Sequence, residues 1–168
     1  RVKEIPLNKT NDWFKDKNSG NINHVSDDFF TITGVRVTTE NREKEIGWDQ
    51  PIVKQKGLDG GILGLIRKRF NGIPHYLCEA KEEPGNYGKI QISPTLQATF
   101  ANLNQKHKGR KPHFSEIFKK FNKEKEVKLL FNAWLAEDGG RLYLKRNKAI
   151  LIELSEKYKI ILPNDNFI

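Results

Sequence analysis

No stretch of this 168-residue chain stays apolar for long. A membrane-crossing helix needs about 20 consecutive apolar residues. The clearest run here is the mixed segment Gly60 to Ile66, so no membrane span or membrane partner is expected. Cysteine occurs once, at Cys78. A lone cysteine excludes an internal disulfide and suits a reducing, cytoplasmic setting. In its strand-like run Cys78 reads as a small hydrophobe rather than a nucleophile. His24, His75, His107 and His113 are scattered, and no Cys/His cluster has zinc spacing, so no metal site is expected. There is no RNA-recognition aromatic pattern, helix-turn-helix spacing or zinc finger. There is no internal repeat and no low-complexity tract. The chain starts Arg1-Val2-Lys3, without Met or a signal-like apolar stretch, which reads as trimming from a slightly longer protein.

What is present fits one domain spanning residues 1–168. Folding at this size buries roughly 70% of the unfolded chain's surface, enough for one core. The 36% hydrophobic content is ordinary for such a domain. The net charge of +9 favours an anionic partner: nucleic acid, a membrane surface or a phosphorylated small molecule. Basic residues crowd at Arg67–Arg69, Lys106–Lys111, Lys119–Lys125 and Lys145–Lys148. Most alternate with Glu or sit in turns, so solvated faces account for them equally well.

Periodicity and turn chemistry give the element order. Residues 1–12 read as a loose arm, and Asp12 to Phe14 as the start of a helix or turn. Asp28 to Thr38 alternates from Phe30, but Phe30, Ile32 and Gly34 are out of phase with Val35 and Val37, which predicts a strand with a glycine bulge. Glu40 to Glu45 is a charged loop. Ile62–Phe70 and Ile73–Ala80 read as strands joined at Asn71-Gly72, a strong hairpin signal. Lys89 to Ile92 is a short strand. Ser93-Pro94 resembles an N-cap followed by Pro at the first helical position, with Leu96, Phe100 and Leu103 at helical spacing and Gly109 as the stop. Phe114 to Phe121 is a shorter amphipathic helix carrying Phe114, Ile117, Phe118 and Phe121 on one side. Strands at Val127–Ala136, Arg141–Leu144 and Ala149–Leu154 close the chain, with a turn at Asp138-Gly139-Gly140. The sum is an α+β domain: a mixed, largely antiparallel sheet with two or more helices.

Polar groups that no core needs gather at the strand ends: Trp48 to Pro51, Glu79 to Asn86, and Gln91 to Thr99. One metal motif is partly matched there. Gly64, Glu79, Glu82, Glu83 and Gly85 fall at the spacing of the Nudix box, the magnesium-binding helix of hydrolases acting on linked nucleoside diphosphates. Phe70 and Cys78 replace its upstream Glu and its Arg, and Pro84 stands where the helix must continue, at a cost of about 3 kcal/mol. A working metal box is therefore not expected.

A different family accounts for more of the chain. Trp48-Asp49-Gln50-Pro51-Ile52 and Gly61-Ile62-Leu63-Gly64 are followed by Ala80-Lys81-Glu82-Glu83-Pro84-Gly85-Asn86. Then comes Gln91-Ile92-Ser93-Pro94-Thr95-Leu96-Gln97-Ala98-Thr99, with Asn102, His107 and Gly109 in step. These motifs, in this order, resemble the NDP-hexose 2,3-dehydratases of deoxysugar biosynthesis, and weaker likeness runs from Phe29-Phe30 to Leu144-Lys145-Arg146-Asn147. The resemblance implies a Nudix-like fold without its metal box. Family members are often about twice this length and built of two similar modules, so this chain resembles one module that pairs as a homodimer. Glu79, Phe100 and Leu103 depart from the Gln, Arg and Tyr expected at their positions.

The resemblance implies a cytoplasmic hydro-lyase acting on a nucleotide-linked 4-keto-6-deoxyhexose, with dTDP as the expected nucleotide and no cofactor. The C4 carbonyl acidifies the C3 proton. A base removes it, an enolate forms, and the C2 hydroxyl leaves as water. That needs a base, a donor for the enolate oxygen and an acid for the leaving group. The resemblance assigns Glu83 as base or acid and Lys81 as the cation beside it, with Glu79 on the same strand face. A surface ion pair worth under about 1 kcal/mol is the plainer reading. Gly85 and Asn86 would shape a turn close to ligand, or else an ordinary Pro-Gly turn. Gln91, Ser93, Thr95, Gln97 and Thr99 would meet sugar hydroxyls, although Ser93 and Thr95 also suit capping. Trp48 would stack on the base with Gln50 beside it, or else fill a core. Arg110 and Lys111 would meet the diphosphate. Two alternatives come from other classes: a module that binds nucleotide sugar without turnover or serves as half of a larger enzyme, and a basic nucleic-acid-binding domain, which steep salt dependence would reveal.

Overall fold

A computed structural model describes residues 2–38, 47–55, 60–105, 110–164 and 166–168. The predicted loop at Glu40 to Glu45, and His107 and Gly109, lie outside the described residues. The chain divides into two compact units, one of Arg1–Asp59 with Ala136–Lys145, the other of Gly60–Leu135 with Arg146–Ile168.

The first unit is an antiparallel sheet in the order β1 (Trp13–Lys15), β2 (Ile22–His24), β3 (Phe30–Thr38), β4 (Gly47–Gln55). Asp12 is in a turn at φ 64°, and Trp13 begins a strand, not a helix. The arm before it carries one 3-10 turn, Leu7–Lys9. The bulge expected at Gly34 is absent. Strands β3 and β4 pair in unbroken register from Phe30 opposite Gln55 to Thr38 opposite Gly47. The phase change has another cause: both faces of β3 carry apolar groups. Val35 and Val37 are half-buried on one face, while Phe30, on the other, meets the Trp13 ring with centroids 4.8 Å apart. Arg141–Leu144 is not a strand either. Leu142 makes a single bridge to Val53, and Leu144 turns the chain away at φ 53°.

The second unit holds β5 (Gly61–Phe70), β6 (Ile73–Glu82), β7 (Ile90–Pro94), β8 (Leu96–Thr99), α1 (Phe100–Leu103), α2 (Ser115–Lys120), β9 (Val127–Ala136) and β10 (Arg146–Leu154). Its sheet order is β7-β6-β5-β10-β9, with β8 also on β5. β10 runs parallel to β5, whereas β5–β6, β6–β7 and β5–β8 are antiparallel. The fold is thus α+β, with mixed, largely antiparallel sheets and few helices. Asn71 and Gly72 take φ 51° and 80°, the left-handed pair that a two-residue hairpin loop requires. One sheet face, carrying Ile62, Ile66, Leu96, Ala98, Ile150, Ile152 and Leu154, is buried with Ile117, Phe118 and Phe121. Gly64 is where Phe118 lies on the sheet: a Cβ there would stand 2.5 Å from the ring.

The segment after Ser93 departs most from expectation. Ser93 and Pro94 end strand β7, and Leu96–Thr99 is strand β8 rather than helix. Leu96 and Ala98 are buried while Gln97 is exposed, a period of two that the helical spacing of Leu96, Phe100 and Leu103 concealed. The helix starts only at Phe100, where Thr99 is the N-cap and accepts from the Asn102 N–H at 3.2 Å. Between the two strands Thr95 changes the pairing partner. Residues 90–94 pair with β6, and residues 96–99 pair with β5. The Thr95 hydroxyl accepts from the Ile66 N–H at 3.0 Å and donates to the Leu77 carbonyl. Ile66 and Leu77 are the last paired residues before β5 and β6 separate. The sheet therefore splits at Thr95, with β8 on the β5 side. On the β6 side, Asn166–Ile168 adds a short antiparallel run, Cys78 and Ile168 exchanging hydrogen bonds at 2.8 and 2.9 Å.

Two stability predictions follow from this packing. Thr95→Val strands two buried backbone groups and should lower unfolding free energy by about 1–3 kcal/mol for each, whereas Thr95→Ser should retain most of it. Gly64→Ala drives a methyl into the Phe118 ring and should cost about 1–3 kcal/mol. Urea denaturation checks both.

Candidate functional site

The expected site residues fall in both units. In the first, Trp48 and Gln50 share one face of β4, as alternate strand residues must. Trp48 is 50% exposed, so it is not a core residue. Its indole N–H donates to Gln50 Oε1 at 2.9 Å, and Gln50 Nε2 donates to the Gly140 carbonyl at 2.7 Å. The Asp138-Gly139-Gly140 turn is itself tied by the Gly140 N–H to Asp138 at 2.9 Å. The result is an exposed aromatic plane with a fixed edge. Beside it, Gly34, Val35, Arg36, Asp49, Gln50 and Pro51 line an open recess of about 470 Å³. Arg36 grips Asp49 there with bonds of 2.8 and 2.7 Å, and the guanidinium's hydrogen bonds hold that carboxyl below the usual carboxylate range.

In the second unit the site is built on the end of β6 beyond the split. Glu79 stands opposite Ser93, and Lys81 opposite Gln91. Directly opposed residues project to the same side, so these four groups share one face of the β6–β7 ribbon. Glu79 also bridges Phe167, a buried ring packed on Phe114 and His113 at 5.0 and 6.0 Å. Lys81 Nζ lies 3.2 Å from Glu83 Oε1, with the lysine side chain 23% exposed. Glu83 opens a turn with Pro84 and Gly85 in its centre, closed by the Asn86 N–H to the Glu83 carbonyl at 3.1 Å. The Asn86 side chain donates to the Lys81 carbonyl at 3.0 Å. Asn86 therefore clamps the chain on both sides of the Lys81–Glu83 pair. The glutamates at Nudix spacing lie on a strand and its exit turn, not on one face of a helix.

The other expected residues separate from this group. Thr95 is 2% exposed, with its hydroxyl engaged by backbone on both sides. Thr99 caps α1. Gln97 pairs with Leu63 and projects to the face opposite Leu96 and Ala98. Lys111 is ion-paired with Glu116, which also meets Lys120 at 2.9 Å. Those two lysines, Lys111 foremost, pull the Glu116 carboxyl down to about 2. Arg110 is exposed. Sequence reasoning did not single out Asn86 as a clamp on Lys81, nor Arg146 over the Trp134 ring at 4.6 Å. The Pro-Gly-Asn turn signal could have found the first. Nothing local pairs two residues from different strands.

This α+β chain, with these ordered motifs at its strand ends, belongs to the NDP-hexose 2,3-dehydratase family, whose model matches residues 1–168. Among curated relatives, a dTDP-4-dehydro-6-deoxy-alpha-D-glucopyranose 2,3-dehydratase of Streptomyces violaceoruber is 36% identical over 153 residues, which cover 91% of this chain and 33% of that protein. The enzymes of the same name from Saccharopolyspora spinosa and Amycolatopsis orientalis are each 34% identical, over 94% and 90% of this chain and 31% and 32% of their own length. The chain thus spans about a third of the curated relatives it matches, less than the half that a two-module comparison leads one to expect. No helix among the described residues is long and apolar enough to cross a membrane.

The hold on Trp48 is directly testable. Gln50→Leu removes the acceptor of its indole N–H, so that proton should exchange with solvent several-fold faster in the variant. The indole protons of Trp13 and Trp134 should be unaffected, as read from the three tryptophan signals in NMR spectra.

Proposed function

We propose that this chain is a sugar-nucleotide 2,3-dehydratase module that removes water across C2–C3 of a dTDP-linked 4-keto-6-deoxyhexose. The observation that carries the reading is the Lys81–Glu83 pair, 3.2 Å apart on a clamped turn, beside a face of hydrogen-bonding side chains. Family membership gives that pair its chemical context, and the relatives' printed substrate supplies the sugar and the nucleotide.

In this reading Glu83 takes the C3 proton. Lys81, beside Glu83, stabilises the enolate oxygen at C4 as the C3–H bond breaks. The C2–O bond then breaks, and the leaving hydroxyl takes a proton and departs as water. Glu79, two strand positions from Lys81, or Glu83 carrying the proton it has just gained, is placed to supply it. Gln91 and Ser93 hold the sugar hydroxyls on the shared face. Thr95 and Thr99 act through the backbone they organise. Arg110 is a diphosphate contact, and Lys111 becomes one only by leaving Glu116. The setting is cytoplasmic, the fold Nudix-like, and the module pairs as a homodimer.

A second reading draws on the share of length covered: the chain binds nucleotide sugar without turnover, or works as part of a larger assembly. Incubation with dTDP-4-keto-6-deoxyglucose separates the two. Loss of one water by mass spectrometry, with the diketo product trapped by reduction, is the expected result. Glu83→Gln should lower that rate by about 10²–10⁴-fold while leaving nucleotide-sugar binding within a few-fold. Tight binding with no water loss by the unaltered chain would favour the binding module instead.

A further inference from the structure

Arg36, Arg67, Arg69 and Arg141 each meet a carboxylate, Asp49, Glu153, Glu153 and Asp138 respectively. Arg146 is held differently. Its guanidinium carbon lies 4.6 Å from the centroid of the Trp134 ring, within the range of a cation–π contact. Trp134 is 45% exposed and meets the Phe100 ring edge-on, with centroids 6.3 Å apart. Gly60 lies beneath them at φ 66°: a Cβ there would strike the Arg146 carbonyl and come within 3.5 Å of the Trp134 ring. Among the described residues no carboxylate pairs with Arg146. A ring contact orients the guanidinium while leaving its N–H donors at the edge, which is how an arginine is readied to grip an oxyanion.

Its position in the sheet gives the cluster a context. β5 and β10 are parallel, so Gly60 and Arg146 lie at the same end, where β8 finishes at Thr99. β6 runs antiparallel to β5, so its Lys81–Glu82 end points the same way. Both clusters therefore occupy one end of the split sheet.

We propose that Arg146, held over Trp134, is an anion-binding residue that takes the diphosphate of a nucleotide-linked substrate whose sugar lies at Lys81–Glu83. The identity of the anion rests on the dehydratase reading; the existence of the anion site does not.

Calorimetric titration of the full chain with dTDP, thymidine and inorganic pyrophosphate tests it, with thermal melts to confirm folding. The wild-type chain should bind dTDP and pyrophosphate. Arg146→Gln should weaken both by about tenfold to a hundredfold and leave thymidine unchanged. Arg146→Lys should lose several-fold, because a point charge replaces the fork, and it decides the matter if the glutamine variant does not fold. Unaltered dTDP and pyrophosphate affinity in a folded Arg146 variant would overturn the proposal, as would a wild-type chain that binds neither anion. Pyrophosphate binding that depends on Arg146, without tighter binding of dTDP, would uphold the anion site and count against the nucleotide-sugar reading.

Discussion

One hydroxyl sets the layout of the second unit. Where β5 and β6 part after Ile66 and Leu77, each strand would leave a backbone group facing the gap. Thr95 fills that position and bonds both, so a single buried side chain lets one continuous segment pair with β6 before it and with β5 after it. A buried unpaired N–H or C=O costs about 1–3 kcal/mol, so the split is tolerable only with that bridge in place. Gly61 and Gly64 serve the same arrangement. The first lets β8 approach through the Ala98 carbonyl, and the second leaves room for Phe118 to cover the face that β8 completes.

The candidate chemistry depends on the split. Because β6 leaves β5, its last residues have β7 on one side and Asn166–Ile168 on the other, so they remain ordered strand rather than a frayed end. Glu79 and Lys81 are held at strand spacing, and the Asn86 clamp extends that order to Glu83 just beyond the strand. An exposed ion pair adds little to stability. Its value lies in geometry: a carboxylate and a cation kept side by side at the mouth of a polar face. The same end of the sheet carries the Arg146–Trp134 contact.

Much of this was legible in the sequence because it rests on local rules. Asn71-Gly72 announced its hairpin and with it the two strands β5 and β6. The ordered motifs from Trp48 to Thr99 carried the family. The errors arose where two periods coincide or where a distant contact decides. Leu96, Phe100 and Leu103 fit a helix, but Leu96 and Ala98 also fit a strand, and β5 supplies the partner that settles it. Val35 and Val37 seemed to require a bulge because a strand with apolar groups on both faces has no single apolar phase. Thr95 read as a ligand group from its place in a polar run. Its role is visible only once Ile66 and Leu77 are brought together, residues that lie well upstream in the chain.

The central claim is that the Lys81–Glu83 pair abstracts the C3 proton of a 4-keto sugar linked to a nucleotide. Proton exchange reads that step before any bond to oxygen breaks. The measurement is ¹H NMR of dTDP-4-keto-6-deoxyglucose held with the protein in D₂O, following the C3 signal of the remaining substrate and the deuterium content of the water-loss product. The account predicts solvent-exposed chemistry at C3 that requires Glu83: washout of the C3 proton or its loss in product with the unaltered chain, and neither with Glu83→Gln. A bound sugar whose C3 proton persists with the unaltered chain, or is lost equally fast with Glu83→Gln, would contradict it.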